Sequence, residues 1–406
     1  MARGKFRGLA LLGPALVAGV AYIDPGNVAT NLSSGARFGY LLTWVIVAAN
    51  LMAWLVQYLS AKLGLVTGQS VPQLLGDRLG QGWRRPLFWF QAQIVAIATD
   101  VAEVIGGAIA LKLLFNLPVI YGGLVTGLIS MALLALHSRG RIRSFEFVIL
   151  GLVLVTGIGF VAALFVAPPN AAEAVQGLLP RFGDNSSVLL AAGIVGATIM
   201  PHAIYAHSAL SRDRFASVLK TATLKNMISA TKWDVSIAML IAGAVNLAIL
   251  FVGASSLFGV SIENSIEGAY HAIHAGLGDV VAILFAYGLL ASGLASSAVG
   301  TYAGGEISAG LLRRRLSPLI VRAFTLVPAL LIIGLTQDPT TALVYSQVLL
   351  SFGIPFALFP LVRLTSNSEI MGEHANGRWT RRVGYLIAAL ITALNAYLLA
   401  LTLLSR

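Results

Sequence analysis

"AYIDPGN", residues Ala21 to Asn27, places a carboxylate and a helix break inside one hydrophobic segment. Between positions 8 and 36, Asp24 is the only formally charged side chain. Pro25 and Gly26 follow it, and these are the residue types least suited to a helix interior. A charge at the centre of a membrane costs about 2.5–3.5 kcal/mol on insertion scales. We therefore expect Asp24 to have a partner or a function.

The composition of the surrounding chain indicates an integral membrane protein. Of its 406 residues, 57% are hydrophobic and only 11% are charged, whereas a soluble domain carries about a quarter charged residues. Its charge-poor runs have the length of helical spans, about 20 residues, rather than the roughly ten-residue alternating segments of a β-barrel. The chain has no cysteine, which excludes disulfides, thiolate metal sites and cysteine nucleophiles.

Hydrophobic segments along the whole chain predict an all-α polytopic membrane protein. We predict eleven transmembrane helices, over residues 8–36, 40–66, 87–115, 119–137, 145–168, 187–210, 234–258, 280–312, 318–337, 340–362 and 383–404. The N-terminus imitates a signal peptide. We interpret it as an uncleaved first span, because cleavage would discard a segment that has an internal counterpart. No linker rich in Pro, Gly or Ser interrupts the chain, so we expect a single domain over residues 1–406.

The loop charges predict the orientation. All strongly basic loops fall on the N-terminal side of the predicted spans, and they contain Arg3, Lys5, Arg7, Arg78, Arg84, Arg85, Arg139, Arg141, Arg143, Arg212, Arg214, Lys220, Lys225, Lys232, Arg313, Arg314, Arg315, Arg363, Arg378, Arg381 and Arg382. The opposite side carries Arg37, Arg181 and Arg406, with acids such as Glu173, Glu263 and Glu267. The positive-inside rule then places the N-terminus in the cytoplasm and, for an odd number of spans, the C-terminus outside. The net charge of +11 is thereby explained by loops facing an anionic leaflet, so we expect no nucleic-acid partner.

An internal repeat relates the first and sixth spans. AYIDPG at 21–26 has a counterpart in ATIMPH at 197–202, with Ala, Ile and Pro at equivalent positions. The counterpart lies five spans further on, an odd number, so the two segments cross the membrane in opposite directions. Paired interrupted spans of this kind mark the midplane binding site of transporters. The alternative is a pair of ordinary proline kinks.

Each proline frees a backbone carbonyl, because it lacks the N–H that would bond to the residue four positions earlier. Pro25 thus frees the carbonyl of Ala21, and Pro201 frees that of Ala197. A free carbonyl in hydrocarbon is costly unless something binds it, and a cation would serve.

Three side chains at the two breaks extend this oxygen set. Asp24 and Asn27 add a carboxylate and an amide oxygen, and Met200 occupies the position equivalent to Asp24. The oxygens alone would suit sodium or magnesium, whereas soft sulfur favours transition metals such as manganese(II) or iron(II). The alternative for Met200 is ordinary apolar packing.

Titratable groups in other spans suggest a proton relay. Asp100 and Glu103 in the third span are three residues apart and share one helix face. Intramembrane acids of this kind form relays, and the alternative is an ion pair with Arg322 in the ninth span; the two can coexist. An imidazole can shuttle protons near neutral pH, which makes His202 and His207 candidates. His207 can equally be a hydrogen-bonded structural residue.

Two amides and a run of small residues complete the candidates. Gln347 in the tenth span can cap a ligand set or bond to a neighbouring helix. For Asn246 in the seventh span we favour the structural role. The small residues that follow Ala291 in the eighth span predict close helix packing.

Together, DPGN in the first span, TDVAE in the third, MPH in the sixth and SQVLLSFGIPFAL in the tenth resemble the Nramp family of divalent metal transporters. The resemblance covers essentially the whole chain. It implies a LeuT-type fold with two inverted five-helix repeats, over about 8–168 and 187–362, and an additional helix at 383–404. It also implies proton-coupled import of manganese, iron and similar metals by alternating access, in the bacterial inner membrane, with no permanently bound cofactor.

The resemblance assigns roles to individual residues. The implied metal ligands are Asp24, Asn27, Met200, the carbonyls of Ala21 and Ala197, and, in some conformations, Gln347. The implied proton pathway comprises Asp24, His202, Asp100, Glu103 and Arg322, to which the imidazole argument adds His207. Many family members have a glutamate where this chain has Gln93, so a proton route through that position is in doubt.

Other classes of protein fit the sequence less well. A sodium-coupled symporter of organic solutes could share the fold, but it should lack the paired Asp and Met at the two breaks. A passive metal channel would not need alternating access. An intramembrane metalloprotease is disfavoured because the chain has no HExxH or GxSxG motif, and we expect no enzyme activity. We expect a monomer.

Overall fold

The computed structural model describes residues 14–138, 142–166, 168–216, 223–259, 266–314, 316, 318–336 and 338–404. Within these residues the chain is helical and forms no strand. Nine of the charged residues used to predict the orientation lie outside them, and these are Arg3, Lys5, Arg7, Arg139, Arg141, Lys220, Glu263, Arg315 and Arg406. Positions 8–13 of the first predicted span also lie outside.

The α-helices are α1 Pro14–Gly19, α2 Pro25–Phe38, α3 Thr43–Thr67, α4 Val71–Leu79, α5 Arg84–Phe115, α6 Val119–Ser138, α7 Ile142–Val166, α8 Ala171–Gln176, α9 Asn185–Thr198, α10 Pro201–Ala216, α11 Leu224–Ser256, α12 Ile266–Leu277, α13 Asp279–Leu311, α14 Pro318–Leu335, α15 Pro339–Thr365, α16 Ser368–Met371 and α17 Arg378–Leu404. Two short 3-10 helices cover Val20–Ile23 and Gly372–His374.

Each of the eleven predicted hydrophobic segments coincides with one of these helices or with a broken pair of them. Among the described residues, eight helical stretches are long and apolar enough to cross a membrane, and one of them is the broken pair α9 and α10. The broken pair α1 and α2 is not one of the eight, and α6 and α14 contain shorter apolar stretches. The protein is thus a multi-pass membrane protein. The number of crossings and the orientation of the termini stay predictions. Some helices extend beyond the apolar runs: α11 begins at Leu224, about ten residues before the predicted span.

Both predicted helix breaks are confirmed. A 3-10 turn follows α1, Asp24 is extended with φ −78° and ψ 168°, and α2 begins at Pro25. In the counterpart, α9 ends at Thr198, Ile199 leaves helical geometry with φ −109° and ψ 61°, and α10 begins at Pro201. A proline is tolerated at the first position of a helix because its missing N–H has no partner there. Each motif thus ends one helix and starts another.

Small residues bring helices into backbone contact around these breaks. A Cβ on Gly35 of α2 would lie 2.2 Å from the carbonyl oxygen of Leu250 in α11, so only glycine fits. In α13, a Cβ on Gly293 would lie 2.9 Å from the backbone nitrogen of Gly107 in α5. The close packing predicted for the small residues of the eighth segment is confirmed, as in other membrane helix interfaces.

The outward surface is apolar. Large hydrophobic side chains on the outer helices are strongly exposed, among them Phe165 at 85% and Leu335 at 83%. On a soluble protein so many exposed apolar side chains would favour aggregation, whereas in a bilayer they face lipid. The polar side chains described next are instead buried between the helices.

Candidate functional site

Asp24 and Asn27 join the two helix breaks. Asp24 is fully buried and caps the N-terminus of α2, where its Oδ1 accepts the backbone N–H of Asn27 at 2.7 Å and the Asn27 side-chain amide at 2.8 Å. The same amide nitrogen donates to the carbonyl of Ala197 at 2.9 Å. The structure therefore brings together three of the predicted ligand residues, one of them from the opposite repeat.

Two oxygens of this bridge accept no hydrogen bond from the described residues: Asp24 Oδ2 and Asn27 Oδ1, both buried. A buried polar atom without a partner costs about 1–3 kcal/mol, and more if it is charged. Within the described part of the chain, no group of three or more His, Asp or Glu is placed to hold a metal ion. A cation here would depend on a mixed set with a single carboxylate, as the sequence predicted.

Gln347 on α15 lies against both breaks. A Cβ on Gly26 would lie 2.0 Å from Gln347 Nε2, and a Cβ on Gly196 would lie 2.0 Å from the Gln347 backbone oxygen. The side-chain amide donates to Ser346 Oγ at 3.1 Å. Its Oε1 is buried and has no partner among the described residues. The structure thus places a third unpartnered amide or carboxylate oxygen beside the first break.

Met200 and Ala21 occupy the breaks themselves. Met200 is fully buried between α9 and α10, and its carbonyl accepts the N–H of Ile204 at 3.3 Å. Ala21 is buried in the 3-10 turn of the first break. The fully buried thioether is compatible with both alternatives for Met200, a ligand role and apolar packing.

Neighbouring helices hold the carbonyls that follow Ala21. The side-chain amide of Asn246 donates to the carbonyl of Tyr22 at 2.8 Å, which confirms the structural role favoured for Asn246. The hydroxyl of Ser292 in α13 donates to the carbonyl of Ile23. The sequence did not single out Ser292, because its only signal was a place in a run of small residues.

Asp100 forms a buried ion pair with Arg322. Nη1 of Arg322 donates to the two carboxylate oxygens at 2.5 and 2.6 Å, and the Ser297 hydroxyl adds a bond to Oδ1 at 2.9 Å. Arg322 and Asp100 are 2% and 1% exposed. The ion-pair alternative for Asp100 is confirmed. Because removing one partner of a buried pair leaves an uncompensated charge, each residue depends on the other.

Glu103 is buried without a hydrogen bond to either carboxylate oxygen from the described residues. It faces α13 at Gly300, where a Cβ would lie 2.8 Å from Glu103 Oε2. Gln93, on the same helix, is also buried and has an unpartnered Oε1. The helix α5 thus carries an ion-paired acid and, one turn further on, an unpaired one.

The two histidines belong to different networks. His202 Nδ1 lies 3.0 Å from Thr99 Oγ1, next to Asp100 in the chain. His207 Nδ1 lies 2.6 Å from Gln57 Oε1, and the Gln57 amide donates to the hydroxyl of Tyr22. His202 is therefore beside the acids of α5, whereas His207 ties α10 to α3 and the first break. This placement favours the hydrogen-bonded structural role for His207.

The family can be assigned from the whole chain. The family model described as "Natural resistance-associated macrophage protein-like" (Nramp) matches residues 15–401. The chain belongs to the Nramp family. The resemblance of the four motifs is therefore confirmed over nearly the full length.

Curated relatives and solved structures agree with Nramp membership. The chain is 56% identical over 392 residues to a divalent metal cation transporter MntH of Mycobacterium tuberculosis, covering 97% of this chain and 91% of that protein. It is similar, with a TM-score of 0.85 and 30% identity, to a manganese transporter of Eremococcus coleocola, covering 96% of this chain and 85% of that one. MhsT, whose structure was solved in complex with L-phenylalanine, shares 13% identity at a TM-score of 0.65 over 94% of this chain and 98% of that one, which shows the fold alone. The predicted LeuT-type fold is confirmed, and the chain belongs with transporters rather than enzymes.

This Nramp chain also carries a polar cluster that the sequence did not reveal. Arg212 of α10 donates to Glu306 of α13 at 3.1 Å and to Gln73 of α4 at 2.9 Å. Its Nε donates to Asp213 at 2.7 Å, and Tyr302 donates to the same carboxylate at 3.0 Å. The cluster ties the second half of the broken sixth segment to α4 and α13.

Proposed function

We propose that this chain imports manganese(II) and similar divalent transition metals, including iron(II), coupled to protons by alternating access. The proposal is supported by Nramp membership and by relatives named as divalent metal cation or manganese transporters. The observation that carries it is the set of buried, unpartnered oxygens on Asp24, Asn27 and Gln347 at the helix breaks. We further propose that the monomer is the transporting unit.

In this proposal the metal ligands are Asp24 Oδ2, Asn27 Oδ1 and Gln347 Oε1, with the sulfur of Met200 and the carbonyls of Ala21 and Ala197. The Ala197 carbonyl already accepts one hydrogen bond from Asn27. A carbonyl has two lone pairs, so this bond leaves one free for a cation. The hydrogen bonds of Asp24 Oδ1 hold the carboxylate in place, so the other oxygen keeps its direction towards the substrate.

The proton pathway in this proposal runs through the acids of α5. Arg322 stabilises the charge of Asp100, while the unpaired Glu103 is free to exchange a proton with it. His202 lies beside Asp100 through its contact with Thr99, which connects the second helix break to the acids. Gln93 cannot carry a proton as a carboxyl group does, so the route excludes it. We assign His207 no more than a structural contribution.

Uptake into proteoliposomes tests the proposal. Liposomes that enclose a manganese-sensitive dye and a pH-sensitive dye should report manganese entry together with acidification, and replacing sodium should have no effect. Asp24→Ala should abolish manganese entry, whereas Asp100→Ala should mainly alter the proton flux. Because Asp100→Ala leaves the buried Arg322 without its partner, the two variants are compared only in preparations shown to be folded. Asp279→Ala, which changes a carboxylate 76% exposed, is the control and should behave as wild type.

Two results would contradict the proposal. Folded wild-type protein that takes up no manganese would exclude the transport activity. Equal loss of manganese binding in Asp24→Ala and Asp100→Ala would contradict the division between a metal site and a proton pathway. Saturable uptake with counterflow separates alternating access from a passive channel.

A further inference from the structure

A cavity of about 740 Å³ is lined by residues from the ends of several helices, and none of the proposed metal ligands is among them. We call it the arginine cavity, and it is lined by Leu75, Arg78, Leu79, Arg84, Phe88, Phe359, Pro360, Arg363, Leu364 and Tyr385. These residues come from α4, α5, α15 and α17. Its volume falls within the range of about 300–1,000 Å³ that is usual for sites of small ligands.

The charged side chains that line the arginine cavity are all positive. Arg78, Arg84 and Arg363 line it, and no acidic side chain of the described residues does. All three arginines are exposed, and none forms a salt bridge with the described residues. Asp77, the acid nearest in sequence, is already paired with Arg313 at 2.7 Å. Three unneutralised guanidinium groups around one cavity favour a ligand with phosphate oxygens, which they can bind through two parallel hydrogen bonds.

The other wall of the arginine cavity is apolar and continues onto the outer surface. Phe88 and Phe359 line the cavity, and Phe359 is 39% exposed. One turn away on the same helix, Phe356 is 51% exposed, and Leu87 beside Phe88 is 55% exposed. A soluble polyanion has no apolar part that could pack against such a surface. A molecule with a phosphate head and hydrocarbon chains matches both walls.

The surroundings correspond to a membrane interface. Trp83 and Trp379 are 72% and 77% exposed, and an arginine lies over each ring, with Arg84 6.0 Å from the first and Arg382 5.6 Å from the second. Tryptophan is enriched at the level of the lipid headgroups. The three arginines lie at helix ends on the side of the membrane that the sequence predicts to face the cytoplasm. Basic pockets between transmembrane helices on that side bind acidic lipid headgroups in other proteins.

We propose that the arginine cavity binds an acidic glycerophospholipid of the cytoplasmic leaflet, such as phosphatidylglycerol or cardiolipin. The phosphate lies between Arg78, Arg84 and Arg363, and the acyl chains run along Phe88 and Phe359 towards the bilayer. The lipid then bridges α4, α5, α15 and α17. This inference does not depend on the identity of the transported ion.

Native mass spectrometry of the full chain in detergent tests the proposal, by titration with phosphatidylglycerol, cardiolipin and the neutral phosphatidylcholine. Wild type should retain the acidic lipids at least about tenfold more tightly than the neutral one, since each basic residue at an anionic surface contributes roughly a fivefold factor. The triple variant Arg78→Gln/Arg84→Gln/Arg363→Gln should lose this preference. The control Lys225→Gln/Lys232→Gln/Arg314→Gln removes three exposed charges outside the cavity and should keep it.

The other outcomes overturn the proposal. Equal losses in the triple variant and the control would mean that only the general charge attracts acidic lipids. An unchanged preference in the triple variant would place the lipid elsewhere. Displacement of the lipid by excess inorganic phosphate would identify a site for free phosphate instead. If the glutamine variant does not fold, the Arg→Lys version keeps the charge but loses the bidentate geometry, and it should retain the lipids with intermediate affinity. Wild type without any preference for acidic lipids refutes the proposal by itself.

Discussion

Gly26→Ala tests whether Gln347 takes part in the metal site without altering any proposed ligand. The three nearest atoms to a Cβ at position 26 all belong to the side chain of Gln347, with Nε2 at 2.0 Å and Cδ at 2.3 Å. Since ordinary van der Waals contact begins near 3.4 Å, the carboxamide has to retreat by about 1.4 Å. It is the flexible end of a side chain, so the backbone can stay in place.

The expected effect on metal binding is large, and the effect on folding is small. A displacement of this size removes the Gln347 oxygen from any ligand set that includes Asp24 Oδ2. An interaction with a charged group contributes about 1.5–3 kcal/mol, so the Kd for manganese should rise by roughly 10- to 150-fold. Alanine is more favourable than glycine in a helix by up to about 1 kcal/mol, and this offsets part of the roughly 1–3 kcal/mol that an extra methyl group in a packed interior costs in free energy of unfolding.

Calorimetric titration of manganese and initial uptake rates measure this effect in Gly26→Ala, in Gln347→Ala and in the double variant. Both single variants should bind manganese more weakly. The double variant should bind no more weakly than Gln347→Ala, because that change removes the atoms that the new methyl group meets. Gly151→Ala is the matched control, since a Cβ at this glycine of α7 meets no heavy atom within 4 Å.

Two results would refute this reasoning. Wild-type affinity in both single variants would mean that Gln347 does not contribute to the metal site. Strictly additive losses in the double variant would mean that the methyl group acts on something other than the Gln347 side chain.

Two further predictions concern the thioether at the second helix break and the ion pair between Arg212 and Glu306. Met200→Ala should keep part of the manganese transport but weaken the discrimination against calcium and magnesium, because a hard ion gains nothing from a thioether. Uptake of manganese in competition with calcium or magnesium measures this, with Met239→Ala, a change of another buried methionine, as the control. Unchanged selectivity would exclude the sulfur as a ligand. Glu306→Gln, which breaks the partly buried pair with Arg212, should lower the free energy of unfolding by about 1–2 kcal/mol. Thermal unfolding checks this against Glu267→Gln, a change in a more exposed pair that should cost less than about 1 kcal/mol. Equal midpoints for the two variants would mean that the pair between Glu306 and Arg212 contributes no more stability than an exposed pair.

The sequence was sufficient for those features that arise from local backbone chemistry. The two helix breaks followed from Pro25 and Pro201, because a missing N–H has the same consequence in any fold. The cost of a charge in an apolar run predicted a partner for Asp24, and Asn27 is a partner in the structure. The repeated motif and its offset of five spans predicted an inverted repeat, whereas the LeuT-type fold came from the resemblance to the Nramp family.

Contacts between distant helices could not be predicted in the same way. The first break is held by a hydrogen bond from Ser292 to the Ile23 carbonyl and by one from Gln57 to the Tyr22 hydroxyl. The sequence does not show which side chain in a run of small or polar residues faces which neighbouring helix. Arg322 and Asp100 were recognised as a possible pair only because both are charges in apolar segments. Whether two such charges meet depends on helix rotation and tilt, which packing sets.

The geometry at Asp24 explains how one carboxylate can both stabilise a broken helix and serve a substrate. Oδ1 accepts two hydrogen bonds from Asn27, and one of them, from the backbone N–H, caps α2. Oδ2 accepts none from the described residues. Because Oδ1 is held by α2 and the Asn27 amide also reaches Ala197 in the opposite repeat, the position of Oδ2 depends on both halves of the fold. A movement of one half against the other therefore changes the distance between Asp24 and Ala197. In the proposed transport cycle, this couples the conformational change directly to the release of the metal.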